Sequence, residues 1–269
     1  AFYTQDLTEQ ARLRLTLETD LHEAIQRGQL RVHYQLQKAF DSGRWVSVEA
    51  LVRWQHPVRG LIAPGEFLAV ARQTGLIADI DEYVLEEACR QLRSWRDAGY
   101  GVSSVAVNMS GFWMERGDIV GRVQQALERH ALPPECLELE VTEDEMMHFG
   151  EKGVALLDRL AALGVGLAID DFGTGHSSLL RLKRMPVNKL KIDRGFVVDL
   201  PCSDSDSAMA RAIIALGKSL HLRVIAEGVE TAAQETLLRD LGCDLGQGYL
   251  YNRPMPATEL ESMLDRAQS

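Results

Sequence analysis

The chain is short of positive charge. Its 29 lysines and arginines face 39 aspartates and glutamates, a formal net charge of −10 over 269 residues. That deficit argues against a broad basic face, so no DNA or RNA duplex is expected as a partner. An anionic substrate would need local cations or bound metal. Cysteine is sparse too. Cys89, Cys136, Cys202 and Cys243 stand far apart, with no CxxC or CxxH pair. A thiolate zinc site is therefore not expected, and the pattern fits reduced thiols in the cytoplasm. No apolar run approaches the ~20 residues of a membrane span. The polar N-terminus lacks the apolar core of a signal peptide.

Hydrophobic residues at 46% and charged residues at 25% are ordinary globular usage. Residues 7–28 read as a helix, with Leu13, Leu17, Leu21, Ala24 and Ile25 at helical spacing and Gly28 as a stop. From Val32 onward, short apolar runs alternate with amphipathic stretches. The runs are Val32–Gln37, Val46–Arg53, Val102–Asn108, Leu137–Val141, Leu167–Asp171, Lys189–Ile192, Arg223–Ala226 and Leu245–Leu250. The helical stripes between them include Ile80, Val84, Leu85, Ala88, Leu92 and Trp95. Two others are Val154, Leu157, Leu160 and Leu163, and Met209, Ile213, Leu216 and Leu220. Strands alternating with helices indicate an α/β fold with a mostly parallel sheet. Eight strands in one uninterrupted domain predict a closed, TIM-like (β/α)8 barrel, a fold of about 250 residues. The turn Asp41–Arg44 is too short for a parallel crossover, so the first strand is expected antiparallel to its neighbour.

Each run carries or leads into a polar group that a buried strand would not choose. In order these are Gln35, Glu49, Asn108, Glu140, Asp170 with Asp171, Lys191, Glu227 and Gln247. Barrel enzymes place their chemistry at the C-terminal strand ends. Five carboxylates brought together there would raise one another's pKa values sharply. Two divalent ions and Lys191 would bring the sum to zero. An all-oxygen ligand set selects Mg²⁺ or Mn²⁺, and adjacent Asp170-Asp171 suits a bridge between two ions. Other matches are chance. Asp171-Phe172-Gly173 lacks the rest of a kinase, Gly217-Lys218-Ser219 lacks the earlier glycine of a P-loop, and His22-Glu23 lacks a second histidine.

The run Glu49-Ala50-Leu51-Val52-Arg53-Trp54 opens an ordered set of strings. It is flanked by Tyr34-Gln35 and followed by Asn108-Met109-Ser110, Glu140-Val141-Thr142-Glu143 and Asp170–Gly175. Lys191-Ile192-Asp193-Arg194, Ala226–Glu230 and Gln247-Gly248-Tyr249 complete it. With this set the chain resembles the EAL domains of bacterial cyclic di-GMP phosphodiesterases, from about Leu21 to Met255. The resemblance implies a barrel with its first strand reversed. It implies Glu49, Asn108, Glu140 and Asp170 on one metal, and Asp170, Asp171 and Glu227 serving a second. Lys191 would contact the attacking water or its metal-bound form, either orienting it or acting as the base. Gln35, Leu51 and Arg53 would bind substrate, Arg53 on a phosphate, with Gln247 near the metals or substrate, and Asp193 and Glu230 on the substrate or behind the residues that touch it. Glu143 would brace the glycine loop Asp171–Ser178, a candidate switch and dimer contact.

The function implied is Mg²⁺- or Mn²⁺-dependent hydrolysis of cyclic di-GMP to linear pGpG by a homodimer. An alternative is a receptor domain that binds cyclic di-GMP without cleaving it. Such relatives usually lose metal ligands, whereas every one is present here. An unrelated metal-dependent barrel enzyme is a third reading. Departures from the family pattern are Leu36 for Pro, Arg72 for Glu, His176 for Tyr and Asn188 for Asp, none at a metal ligand. Residues 1–20 resemble the connector that follows a diguanylate-cyclase-like domain, leaving 21–269 as the barrel. An upstream regulatory domain and a cytoplasmic setting, with a membrane anchor upstream, are the matching expectations.

Overall fold

The computed structural model describes residues 17–116, 118–175 and 179–268. Among the described residues, nine strands form one sheet. They are β1 (Leu30–Ala39), β2 (Trp45–His56), β3 (Gly60–Ile62), β4 (Ser104–Asn108), β5 (Leu137–Thr142), β6 (Gly166–Phe172), β7 (Lys189–Ile192), β8 (Arg223–Ala226) and β9 (Leu245–Gly246). Eight of them close on themselves in chain order, β1-β2-β4-β5-β6-β7-β8-β9, with β9 pairing back to β1. From β2 to β9 every barrel pairing is parallel, and β1 is antiparallel to both its neighbours. The fold is thus the expected TIM-like barrel with a reversed first strand. The short turn after Ala39, with Gly43 in the left-handed region at φ +67°, sets the β1–β2 register and places Gln35 opposite Glu49.

The described helices are α1 (17–26), α2 (Pro64–Thr74), α3 (Ile77–Asp97), α4 (Gly111–Arg116), α5 (Ile119–Arg129), α6 (Glu143–Leu163), α7 (Leu179–Leu182), α8 (Asp204–Ser219), α9 (Ala232–Leu241) and α10 (Ala257–Gln268). The predicted stripe on α3 is buried along its whole length, ending at Trp95, which stacks edge-on with Tyr34 of β1. Burying that many large apolar side chains, at about 1.5–3 kcal/mol each, fixes α3 against the barrel. Among the described residues no helix is long and apolar enough to cross a membrane.

Four expectations need correction. The eighth run was predicted through Leu250, but β9 ends at Gly246, because its partner β8 ends at Ala226 and the chain turns over residues 248–251. The Gln247 N–H donates to Ala226 O and the Val229 N–H donates to Gln247 O. The third strand starts at Ser104 rather than Val102. The hairpin strand β3 was not foreseen; its three residues carry no readable period. On α8 the buried face is Ala210, Ile213, Ile214 and Gly217, while Met209 is exposed, so the stripe is rotated by one position. Most of the proposed connector, the first part of the 7–28 helix, and His176 to Ser178 of the glycine loop lie outside the described residues.

Candidate active site

Alternation along each strand sends every second side chain into the barrel. Two interior layers result. The lower one holds Gln37 and Ser47, paired across β1 and β2, with Glu138 of β5 and Lys189 of β7. Two residues further toward the C-terminal mouth stand Gln35, Glu49, Glu140 and Lys191. Asn108 ends β4, Glu227 follows β8 directly, and Gln247 follows β9.

Lys191 is the centre of the upper layer and is wholly buried. Its Nζ stands 2.6 Å from Glu140 Oε2, 2.7 Å from Glu227 Oε1, 3.2 Å from Asp170 Oδ1 and 3.7 Å from Glu49 Oε1. Burial opposes the charge on Lys191, but the four carboxylates together hold its ammonium well above the usual lysine range. One cation cannot neutralise four anions. Burial, reinforced by the neighbouring carboxylates, pushes Glu140 well above the ordinary carboxyl range despite its short contact with Lys191. Burial and Asp170 push Glu227 up to about 8 and Asp171 up to about 6. Glu49 is the exception. Burial raises it, yet Lys191 and the amide donors of Gln247 and Asn108 outweigh that and keep it low. Asn108 Nδ2 donates to Glu49 Oε1 at 2.8 Å, and Gln247 Nε2 donates to Glu49 Oε2.

These residues fit divalent cations. Asp170, Asp171 and Glu227 each offer an oxygen, all within 4.8 Å of one another. Glu140 Oε1 is buried without a hydrogen-bond partner. An unsatisfied buried carboxylate oxygen is costly, and a hard cation is the partner that this all-oxygen set would take. The backbone is shaped to the same end. The β6–β7 ladder is irregular between Ile169 and Phe172, and Asp171 sits in the left-handed region at φ +53°. Such strain in a non-glycine residue persists only where the surroundings enforce it. Asp170 accepts from the Asp171 N–H at 2.9 Å, which fixes the pair.

Beside the carboxylates opens a cavity of about 280 Å³ lined by Gln35, Leu51, Arg53, Glu230 and Tyr249. Glu49, Asp170 and Glu227 form its floor. Arg53 is half-buried there, and Glu230 pairs with Arg194 at 2.9 Å. Gln35 Nε2 donates to Asn252 O at 2.9 Å, holding the C-terminal segment against β1. Asp193 does not line this cavity. It caps the turn after β7 by accepting from the Gly195 N–H at 2.9 Å, and it faces Asp171. Glu143, at the start of α6, is buried and accepts from the Gly173 N–H at 2.9 Å, tying α6 to the glycine loop.

The site includes residues that sequence reasoning passed over. A second cavity, about 270 Å³, lies on the other side of Glu49 and Asn108 and contains Asp81. Burial pushes the Asp81 carboxyl up to about 7, although Ser110 donates to it through both N–H and hydroxyl. An aspartate beside Ile80 on an otherwise apolar helix face was the available signal. Gln37 shares the inward face of β1 with Gln35, and period two would have found it.

A family model, EAL domain, matches residues 18–254. The chain belongs to the EAL domain family. It is 48% identical over 259 residues to the bifunctional diguanylate cyclase/cyclic di-GMP phosphodiesterase MucR of Pseudomonas aeruginosa, covering 96% of this chain and 38% of MucR. It is 46% identical over 263 residues to the cyclic di-GMP phosphodiesterase NbdA of the same organism, covering 98% of this chain and 34% of NbdA. The chain therefore spans little more than a third of those relatives. Among solved EAL structures, the PaMucR phosphodiesterase in complex with c-di-GMP superposes with a TM-score of 0.88. It is 50% identical, and the match covers 91% of this chain and 99% of that one. Bd1971, an EAL enzyme solved with cGMP bound, superposes at 0.90 with 30% identity, over 96% and 71% of the two chains.

Proposed function

We propose that this EAL domain hydrolyses one phosphodiester of cyclic di-GMP to give linear pGpG, using two divalent cations, Mg²⁺ or Mn²⁺. The observation that carries the reading is the cluster of five carboxylates around a buried lysine, opening on a cavity that holds Arg53. Asp170, Asp171 and Glu227 would hold one ion, and Glu49, Asn108, Glu140 and Asp170 the other. When bound, the ions supply the charge that acidifies a water and offsets the phosphate. The chain's own residues do the rest. The Arg53 guanidinium fork grips a phosphate from the cavity side, where its planar donors match two oxygens. Leu51 and Tyr249 give apolar surface for the substrate, and Gln35 and Glu230 give polar edges. Lys191 carries donors and no acceptor. Standing among four carboxylates, it orients the attacking oxygen and stabilises charge growing on the phosphoryl group. The match of nearly the whole chain to relatives named as cyclic di-GMP phosphodiesterases supports the same substrate.

The remaining readings follow the same logic. The Glu143–Gly173 hydrogen bond supports a glycine loop whose position responds to contacts made outside the barrel, such as those of a homodimer. The greater length of MucR and NbdA supports a regulatory domain in the same polypeptide. The test is cleavage of cyclic di-GMP by the purified chain with Mg²⁺, read as pGpG by nucleotide chromatography. Glu49→Ala is expected to abolish it, and near-normal turnover in that variant would overturn the assignment.

A further inference from the structure

A chain of hydrogen bonds runs along the barrel axis from its lower layer to Glu49. At the bottom, Lys189 Nζ donates to Glu138 Oε1 at 2.6 Å and to Gln37 Oε1 at 3.4 Å, and Ser47 Oγ donates to the same Gln37 oxygen at 2.6 Å. Gln37 Nε2 then donates to Gln247 Oε1 at 3.0 Å. Gln247 Nε2 donates to Gln35 Oε1 at 3.1 Å and to Glu49 Oε2. Gln37 is wholly buried and Gln247 nearly so, so no water competes for these partners.

The direction of this chain is set at both ends. An ammonium can only donate and a carboxylate can only accept. Lys189 therefore faces the oxygen of Gln37, which turns the Gln37 amide nitrogen toward Gln247. That nitrogen takes the oxygen of Gln247, leaving the Gln247 nitrogen for Glu49. Without Gln37, the Gln247 oxygen loses its donor and the amide is held only through its nitrogen, by Glu49 and Gln35, so it is free to tilt away from the geometry that Glu49 needs. We propose that Gln37 is a positioning residue: it fixes the amide orientation of Gln247, and through it the rotamer of the metal-binding carboxylate Glu49. Bonds aligned head to tail polarise one another, so the lower layer, Ser47 and Lys189 included, takes part in shaping a site two residues above it. The inference rests on the proposed role of Glu49 as a metal ligand.

The test reads metal binding without substrate. Mn²⁺ is titrated into the purified chain and the free ion is followed by electron paramagnetic resonance. Partners standing behind metal ligands typically contribute 10–100-fold to affinity. Gln37→Met and Gln37→Leu, both near in size and both unable to donate to Gln247, are expected to weaken Mn²⁺ binding by about tenfold. A purely space-filling role would lower the melting temperature without moving that affinity. Ser47→Ala removes one donor to Gln37 and little volume, and is expected to weaken Mn²⁺ binding by about threefold. Folded Gln37 variants that bind Mn²⁺ as wild type does would overturn the proposal. If neither Gln37 variant folds, unchanged affinity in Ser47→Ala would overturn it instead. A wild-type chain that binds Mn²⁺ but leaves cyclic di-GMP intact would fail the proposed function and leave this reading standing. One that takes up no Mn²⁺ would overturn both.

Discussion

Replacing Lys191 by methionine removes the side-chain cation that contacts Glu140, Glu227, Asp170 and Glu49 while keeping much of its volume. Four carboxylates then share a buried layer with no cation among the described residues to pair with them. Breaking a buried ion pair by deleting one partner costs about 3–5 kcal/mol. For a domain of this size each kcal/mol moves the melting temperature by roughly 2–4 °C. The metal-free variant is therefore expected to melt about 6–20 °C below wild type at pH 8. The pH dependence has a definite sign. Glu227 titrates near 8 in the fold against 4.5 in the free side chain, so between those values the folded state binds the extra proton. Stability of the metal-free wild type must fall as pH rises through that window. In Lys191→Met the loss is steeper, because the carboxylates have lost their counter-charge, and the gap to wild type narrows toward pH 5. Thermal melts in EDTA at pH 5, 6.5 and 8 check this. If the variant melts within about 2 °C of wild type throughout, Lys191 does not hold the cluster together, and the charge argument fails.

Other predictions follow from single contacts. Saturating Mg²⁺ or Mn²⁺ should raise the wild-type melting temperature at pH 8 more than at pH 5, since protons and cations compete for the same oxygens; an equal rise would contradict this. Arg53→Lys keeps the charge but loses the fork, and should lower kcat/KM for cyclic di-GMP by roughly 10–100-fold, whereas a change under about twofold would remove Arg53 from phosphate binding. Gly173→Ala places a Cβ 2.8 Å from Phe196 at a residue with φ +102°. It should destabilise the fold by roughly 1–3 kcal/mol, visible as a lowered urea midpoint; an unchanged midpoint would show that the loop relaxes freely.

Much of this site was legible in the sequence because few constraints produce it. A four-residue turn forces β1 and β2 antiparallel, which puts Gln35 opposite Glu49. The register of the parallel strands then brings these polar residues to one mouth. The stripe on α3 was legible for a like reason, because its period runs unbroken over five turns. What stayed hidden depended on tertiary contacts. β9 stops after two residues because its partner β8 ends at Ala226 and the chain turns over residues 248–251. Met209 falls outside the buried face because α8 turns Ala210 inward instead. Asp81 sits on a helix that reads as core, and only the fold shows that its face borders the site. The left-handed backbone of Asp171 has no signature in residue type, since aspartate occupies many conformations.

We propose that a ring of carboxylates at the barrel mouth holds the cations that cleave cyclic di-GMP. The most direct measurement incubates the purified chain with cyclic di-GMP, once with Mg²⁺ and once after removal of divalent ions by EDTA, and resolves the nucleotides by chromatography. The account predicts pGpG with Mg²⁺ and intact cyclic di-GMP after EDTA. Intact cyclic di-GMP in the presence of both Mg²⁺ and Mn²⁺, or cleavage undiminished by EDTA, would contradict it.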